Sequence, residues 1–357
     1  MADLYHSLTI IMPSRIHGRV TQQTIARHLG IGQKTISRAF SEPKLVNAEL
    51  CTRILAVAAD LGYEPLREAR SPHSRRLESV LLVQTTKVGS SPMPEQMIAG
   101  INDELALSQT RLAFVRLPDE HLTSPVLLKR LARELVAEGL LVNYDLDIPT
   151  ELKEVIARMR LPAVWINNRD AEASVRPDDM AAGEAATRHL LELGHQRILY
   201  ADFYVDHWPT IHYSKKDRLT GYRTAIAKAS ASQIEALPDR EVDPLGYARE
   251  VLTRYQPTAV LAYGGHETST FALAAMSLGL RIPQDLSLAT FGPSRYFCGL
   301  RITTWCVPLA DMGRTAVRQL LAVMKDPTTE AHPLALPFTR LDGETVAAPP
   351  ETGRLSK

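Results

Sequence analysis

Between residues 20 and 62 the apolar side chains recur at intervals of three and four, the period of amphipathic helices. A first helix is predicted to start at Thr21, a suitable N-cap, with Ile25, Ala26 and Leu29 on one face and Gly30 as its end. A second runs from Gln33 to Phe40 with Ile36 and Phe40 turned inward, and Pro43 lies in the loop beyond. Asn47 caps a third, in which Leu50, Ile54, Val57, Ala58 and Leu61 share a face and Gly62 supplies the stop. Residues 66–78 are polar, basic and interrupted by Pro72, and read as a linker.

From Ser79 the rhythm changes. Short aliphatic or β-branched runs (Val80–Val83, Leu112–Val115, Leu140–Val142, Ala163–Ile166, Ile198–Tyr200, Ala259–Tyr263 and Ser287–Phe291) alternate with helical stretches. The helices are predicted at Gln96–Leu107, Leu127–Ala137, Ala181–Leu193, Leu219–Lys228, Thr268–Leu278 and Met312–Met324. Such alternation implies parallel sheets covered on both faces. There is too much of it for one sheet of ordinary size, so the expected fold is α/β: a three-helix head followed by two doubly wound lobes. The boundaries read as an extension of unassigned role at 1–18, a helical head at 19–64, a hinge at 65–78, a bilobed domain at 79–341 and a tail at 342–357.

Hydrophobic residues at 45% and charged ones at 23% are the balance of a soluble globular chain. No apolar run approaches the roughly 20 residues that span a bilayer, and the patch Leu8–Met12 lacks a basic leader and a cleavage site. No membrane partner is expected. Cys51, Cys298 and Cys306 are too few and scattered for a disulfide framework, and none belongs to a CxxC pair, so reduced thiols in a cytoplasmic protein are expected. The net charge of +1 divides unevenly: residues 1–76 carry 11 Lys/Arg against 6 Asp/Glu, and the remainder is net acidic. A basic head on a mildly acidic body suits a polyanion-binding module joined to a sensor. The acid pair Asp178-Asp179 and the histidines His195 and His266 fall in no nucleophile–base or metal-ligand pattern, and no Walker loop, G-x-S-x-G, G-x-G-x-x-G or H-E-x-x-H is present. No enzyme activity, metal or cofactor is expected. His195 reads as a structural histidine at a helix end.

The segment Ala26–Ile36 has the residue types of a helix-turn-helix. Ala26 is small where a second helix crosses, Gly30 permits a left-handed turn, and Ile36 plugs the gap between the helices. The second helix then offers Gln33, Lys34, Thr35, Ser37 and Arg38 outward, side chains able to hydrogen-bond base edges or phosphates in a major groove. The alternative is a three-helix protein–protein module.

These residues carry a specific resemblance. Val20-Thr21-x-x-x-Ile25-Ala26-x-x-x-Gly30-Ile31-x-x-x-Thr35-Ile36-Ser37-Arg38 is similar to the N-terminal signature of the lactose-repressor/galactose-repressor (LacI/GalR) family. Asn47 and Leu61-Gly62-Tyr63-x-Pro65 extend it. So do Leu193-Gly194-His195-x-x-Ile198, Arg218-x-x-Gly221-Tyr222, Pro257-Thr258-Ala259, Gly279-x-x-Ile282-Pro283-x-Asp285-Leu286-Ser287 and Thr303-Thr304 before Pro308. The likeness runs from about Val20 to Pro337. It implies a helix-turn-helix head, a hinge and a periplasmic-binding-protein-like sensor with a small effector between its lobes. It also implies a homodimer on a near-palindromic double-stranded DNA operator, acting as a transcriptional regulator, most simply a repressor. By this resemblance Gln33 and Lys34 read bases, Arg38 is a further DNA contact and Thr21 a phosphate contact; Lys34 touching phosphate without base preference is the alternative.

The resemblance places the hinge at Ala69 and Pro72, and the effector contacts at Thr85, Asn167, Arg218, Tyr263, Gly264 and Gly292. Several of these depart from the family. Pro72 stands where a leucine wedges into the minor groove; proline disfavours a helix interior, yet can itself wedge between base steps. Gly264-Gly265 replace the usual Asn-Asp, and Gly292 replaces an aspartate that grips sugar hydroxyls. Asn167 stands where Asp is frequent. Arg218, retained without its neighbouring acids, points to an anionic effector, a sugar acid, carboxylate or phosphate held in fork geometry; the alternative is that it only braces the lobes. Tyr204, His207, Trp208, His212 and Tyr213 either line the cleft mouth or form an ordinary surface loop. Two further readings stay open: a regulator of fixed affinity with no effector, and a solute-binding protein.

Overall fold

The computed structural model describes residues 21–61, 63, 79–87, 89–203, 212–238, 242–292, 296–297, 299–326 and 328–350. Expectations for residues 1–18, Gly62, the linker with Ala69 and Pro72, Tyr204, His207, Trp208 and Cys298 lie outside these. The chain forms two compact units, residues 1–76 and 77–357.

The first unit holds α1 (Gln22–Leu29), α2 (Gln33–Ser41) and α3 (Ala48–Asp60). Thr21 caps α1 in a reciprocal arrangement: its hydroxyl accepts from the Thr24 amide at 3.2 Å, and the Thr24 hydroxyl accepts from the Thr21 amide at 3.3 Å. Gly30 follows α1 at φ +64°, the left-handed turn that lets α2 fold back. The Asn47 side chain accepts from Glu49 and Leu50 at the start of α3. Ile25, Ile36 and Ile54, one from each helix, are fully buried at the centre.

The second unit continues with β1 (Ser79–Thr85), α4 (Glu95–Leu107), β2 (Arg111–Leu117), α5 (Asp119–Leu122), α6 (Pro125–Glu134), β3 (Gly139–Asn143), α7 (Thr150–Met159), β4 (Ala163–Ile166) and β5 (Ser174–Pro177). There follow α8 (Asp179–Glu192), β6 (Arg197–Ala201), α9 (Tyr213–Ala229), β7 (Ser232–Ala236), α10 (Pro244–Tyr255), β8 (Ala259–Ala262), α11 (Gly265–Ser277) and β9 (Ser287–Gly292). Last come the short ribbon β10 (Tyr296–Phe297) and β11 (Leu300–Arg301), then β12 (Thr303–Cys306), α12 (Leu309–Lys325), β13 (Leu334–Leu336) and β14 (Thr339–Leu341).

Two six-stranded sheets result. The first runs β13-β5-β4-β3-β1-β2, all parallel; the second runs β14-β12-β9-β8-β6-β7, with only β14 antiparallel. Helices cover both faces of the first sheet: Val80 and Leu82 pack toward α4 and α12, Leu81 and Val83 toward α6 and α7. A strand buried on both faces reads as an unbroken apolar run, which is why β1 is conspicuous in the sequence. The chain passes between lobes three times, from β5 to α8, from β12 to α12 and from β13 to β14. The expected two-lobed α/β architecture is thus the observed one. Among the described residues no helix is long and apolar enough to cross a membrane.

The differences have local causes. The helix expected to reach Ala137 ends at Glu134, because Val136 turns left-handed (φ +54°) and the Ala137 amide closes back on the Ala132 carbonyl. The helix expected from Leu219 starts six residues earlier at Tyr213, through polar first turns that carry no apolar period. Residues 342–350, set apart as a tail, are stitched to the second lobe: the Leu288 amide donates to the Thr345 carbonyl at 2.7 Å, and His195 Nε2 pairs with the Ala347 carbonyl at 2.8 Å. His195 is fully buried, its Nδ1 2.9 Å from the Thr258 hydroxyl, and is structural as expected.

Candidate functional site

In the head, α2 divides by face. Ile36 and Ala39 are buried, while Gln33, Lys34, Ser37 and Arg38 are exposed. Thr35, expected outward, is half-buried. Lys34 and Arg38 lie one helical turn apart, so both charges project from the same side. Thr21 is exposed at the start of α1, where its hydroxyl serves the cap; a phosphate contact there would share that oxygen.

In the sensor, a cavity of about 150 Å³ opens between the lobes where the parallel strands end. That is where open α/β sheets bind ligands, because the strand-to-helix turns diverge there. One wall is apolar: Pro92, Pro94 and Met97 from the first lobe, and Val307, Leu309 and Met312 from the second crossover and α12. The other is polar: Asn167 after β4, Asp179 at the start of α8, and His212, Ser214 and Arg218 from α9 and its cap.

The polar wall is a connected set. Asn167 adopts φ +58°, a left-handed conformation that asparagine tolerates better than most residues. Its Nδ2 donates to Asp145 Oδ2 at 2.8 Å, and its Oδ1 accepts from the Tyr213 hydroxyl at 2.7 Å. The His212 Nδ1 lies 2.7 Å from the Ser214 hydroxyl, which is 2.7 Å from that of Tyr263. Arg169 of the first lobe pairs with Asp217 of the second at 2.7 Å. The first turn of α9 therefore grips the opposite lobe through Asn167 and Arg169. Burial pushes the Asp145 carboxyl up to about 7, and burial together with the Arg218 charge pushes His212 down to about 4.

Arg218 is fixed from every side. Its Nε donates to Asp179 Oδ1 at 2.7 Å and its Nη1 to the Tyr263 carbonyl at 3.0 Å. The rings of Tyr263, Phe291 and Phe338 lie 4.7, 5.0 and 5.4 Å from its guanidinium carbon. The expectation of an anionic effector rests on an Arg218 without neighbouring acids. The structure corrects that premise: Asp179, side by side with it and fully buried, already balances the charge. Burial disfavours the Asp179 carboxylate, and Arg218 opposes that by charge and hydrogen bond.

Of the other expected effector residues, Asn167 lines the cavity and Tyr263 stands one hydrogen bond behind Ser214. Thr85, Gly264 and Gly292 are not among the lining residues. Thr85 is fully buried with its hydroxyl on Asp119 Oδ1; the Gly264 carbonyl accepts from Thr268 at the start of α11; the Gly292 carbonyl accepts from the Val307 amide. Sequence reading missed Asp145 altogether and weighed Asp179 only as half of an acid pair. The Arg218-x-x-Gly221-Tyr222 motif is explained by spacing on α9. Arg218 faces the cavity. A Cβ at Gly221 would lie 2.2 Å from the Met180 carbonyl of α8. Tyr222 inserts its hydroxyl between β6 and β7, bonding the Ile198 and Ile234 carbonyls.

Comparison with known proteins agrees with this fold. Residues 187–346 match the family described as periplasmic binding protein-like domain. The ribose operon repressor of Haemophilus influenzae is 25% identical over 341 residues, covering 91% of this chain and 98% of the relative. The lactose operon repressor of Escherichia coli is 24% identical, covering 92% of this chain and 91% of the relative. A solved structure of the lac repressor dimer bound to operator and an anti-inducer superposes with a TM-score of 0.66 at 20% identity, over 92% of this chain and all of that one, which speaks to the fold. Helix-turn-helix head, two crossed-over lobes and relatives matched over nearly their full length lead to one conclusion: the chain is similar, from head to sensor, to the ribose and lactose operon repressors.

Proposed function

We propose that this protein is a DNA-binding transcriptional regulator, a repressor by the pattern of its relatives, whose operator affinity is set by a small effector in the interlobe cavity. The observation that carries the reading is the α2 face: four exposed donor or cationic side chains, Gln33, Lys34, Ser37 and Arg38, on a helix whose other face is locked into the head by Ile36. A ligand-sized cavity in a separate compact unit supplies the second half of such a device.

DNA recognition is assigned to Gln33, Lys34 and Arg38 at base edges, with Thr21, Thr35 and Ser37 toward the backbone. The operator is near-palindromic and the protein a homodimer, its subunits meeting through apolar side chains left exposed on the sensor, among them Leu273 and Met276 on α11. Retardation of near-palindromic duplexes from the gene's own neighbourhood, across a salt series, tests this. Lys34→Ala and Arg38→Ala should each weaken binding. A residue on phosphate lowers the salt slope by about 1, whereas a residue on a base costs about 1–3 kcal/mol at one position of the site. Unchanged affinity in the folded, dimeric double variant would end the proposal.

A regulator of fixed affinity is the second reading. It is favoured by the way Asn167, His212, Tyr213, Ser214 and Tyr263 satisfy one another without a ligand. Two carboxylate oxygens left without partners at the cavity speak for the gated form.

A further inference from the structure

The cavity is short of hydrogen-bond donors. Asp179 lines it and is fully buried; Oδ1 is taken by Arg218, while Oδ2 has no partner. Asp145 stands directly behind the lining residues Asn167 and His212, with Oδ2 on Asn167 and Oδ1 likewise buried and unpartnered. A buried acceptor without a donor costs about 1–3 kcal/mol, more for a charged group, and native structures seldom keep one without a use.

Charge points the same way. Arg218 balances Asp179, with Arg176 acting on the same carboxylate, and the described side chains that meet Asp145 are Asn167 and His212, of which only the imidazole, 3.8 Å from Asp145 Oδ2, can take a positive charge. Burial and Arg218 keep that imidazole neutral. Among the described residues no charged cation therefore meets the Asp145 carboxyl. An anion entering the cavity would meet that group and an arginine whose charge Asp179 already balances.

The opposite wall limits what carries the donors. A polyol has hydroxyls all round, and those turned toward Met97, Val307, Leu309 and Met312 would be buried unpaired. A cavity of about 150 Å³ has the size that holds a six-membered ring.

We propose that the interlobe cavity takes a small amphiphilic amine, with an N–H-bearing or ammonium edge on Asp179 Oδ2 in the field of Asp145 and a hydrocarbon flank against the apolar wall, and that it rejects anions. The inference rests on the reading of this cavity as the effector site.

Four probes of one ring size test it on the full chain at pH 8, above the value of about 7 to which burial raises Asp145: cyclohexylammonium, cyclohexanol, cyclohexanecarboxylate and the polyol myo-inositol, each by calorimetry and thermal shift. The expected result is that cyclohexylammonium binds at least about tenfold more tightly than the carboxylate, a preference worth about 1.4 kcal/mol, with myo-inositol weakest. Asp179→Asn should remove most of that preference. Because this change also strips Arg218 of its partner, Asp145→Asn, which preserves the shape of the site, is measured alongside and should narrow the preference as well. Absence of amine binding, equal or tighter carboxylate binding, or a preference that survives in both variants overturns the inference. Operator retardation on the same preparations keeps the two ideas apart. Loss of DNA binding with amine selectivity intact removes the regulator reading, and DNA binding with anion selectivity removes only this one.

Discussion

Asp145 and His212 hold one proton between them in the folded chain, and the unfolded chain holds one as well, on the other residue. Folded, burial keeps the Asp145 carboxyl protonated up to about 7, and burial with Arg218 keeps His212 neutral down to about 4. Unfolded, with ordinary values of 3.8 and 6.5, the carboxyl has lost its proton across most of that window and the imidazole has gained one. The counts match, so the two opposite contributions to stability cancel between pH 4 and 6.5. Each variant should uncover the other residue. In Asp145→Asn the depressed His212 remains; its contribution is present above 6.5 and lost as pH falls toward 4, so stability should climb with pH. In His212→Gln the raised Asp145 remains, present below 3.8 and lost as pH rises through 7, so stability should fall. The slopes relative to the parent approach 1.4 kcal/mol per pH unit at most, and urea denaturation at three pH values reads them. Identical profiles in all three proteins would sink the assignment. Arg218 makes a second prediction at this scale. Arg218→Met leaves Asp179 charged and buried, and should cost about 3–5 kcal/mol, much of it restored when Asp179→Leu is added. None of this was legible in the sequence. Arg218 could be found from its motif, but Asp179 read only as half of an acid pair in no catalytic or metal-ligand pattern, and Asp145 carries no pattern. Their character comes from partners far along the chain, Arg218 for Asp179 and His212 for Asp145.

Among the elements, legibility followed the length of the apolar run. Central strands such as β1, β3 and β8 are aliphatic throughout because helices cover both faces, and their runs stood out. The edge strands β7 (Ser-Gln-Ile-Glu-Ala) and β14 (Thr-Arg-Leu) are short and mixed, since an edge has solvent beside it, and they passed unnoticed, as did β5 (Ser-Val-Arg-Pro), a buried inner strand too short and polar to form an apolar run. The α2 face was readable because it is defined within one turn-helix segment; the cavity was not, because its walls come from five separate stretches of chain. Two close helix crossings were also invisible. A Cβ at Gly183 would come within 2.3 Å of the Arg218 carbonyl, so α8 and α9 touch backbone to backbone beside the cavity. In the first lobe, a Cβ at Gly100 would be 2.1 Å from the Ala310 carbonyl, setting α4 against α12 in the same way. Neither carbonyl can move without its helix. Gly183→Ala is therefore expected to cost about 1–3 kcal/mol or more by overpacking, and to shift Arg218 with it. Chemical denaturation gives the first number, and near-ultraviolet circular dichroism, which reports Tyr213, Tyr222 and Tyr263 on or against α9, follows the second. In the head, Ile36→Ala removes a fully buried side chain and should cost about 2–5 kcal/mol there. Operator binding should be lost at a temperature where the melting of the separate sensor unit is unchanged.

For the molecule as a whole, the question is whether the cavity and α2 belong to one equilibrium. They lie in different compact units, so any coupling is a difference in free energy between states of the whole chain, and such a coupling is reciprocal. A compound that binds the cavity and weakens operator affinity by some factor must itself bind the operator complex more weakly by the same factor. Couplings of this kind are typically about 5–150-fold. The interlobe contacts at the start of α9, Asn167 with Tyr213 and Arg169 with Asp217, bridge the two lobes beside the cleft. Arg169→Ala loosens that grip without touching the cavity lining, so it should change the coupling factor more than it changes the affinity of the free protein for cyclohexylammonium or for operator. Titrating the probe into free and operator-bound protein, and operator into free and probe-saturated protein, gives the factor twice. Equal factors different from one establish a gated regulator. A factor of one in both directions, with both ligands bound, describes a regulator of fixed affinity that keeps a working but disconnected cleft.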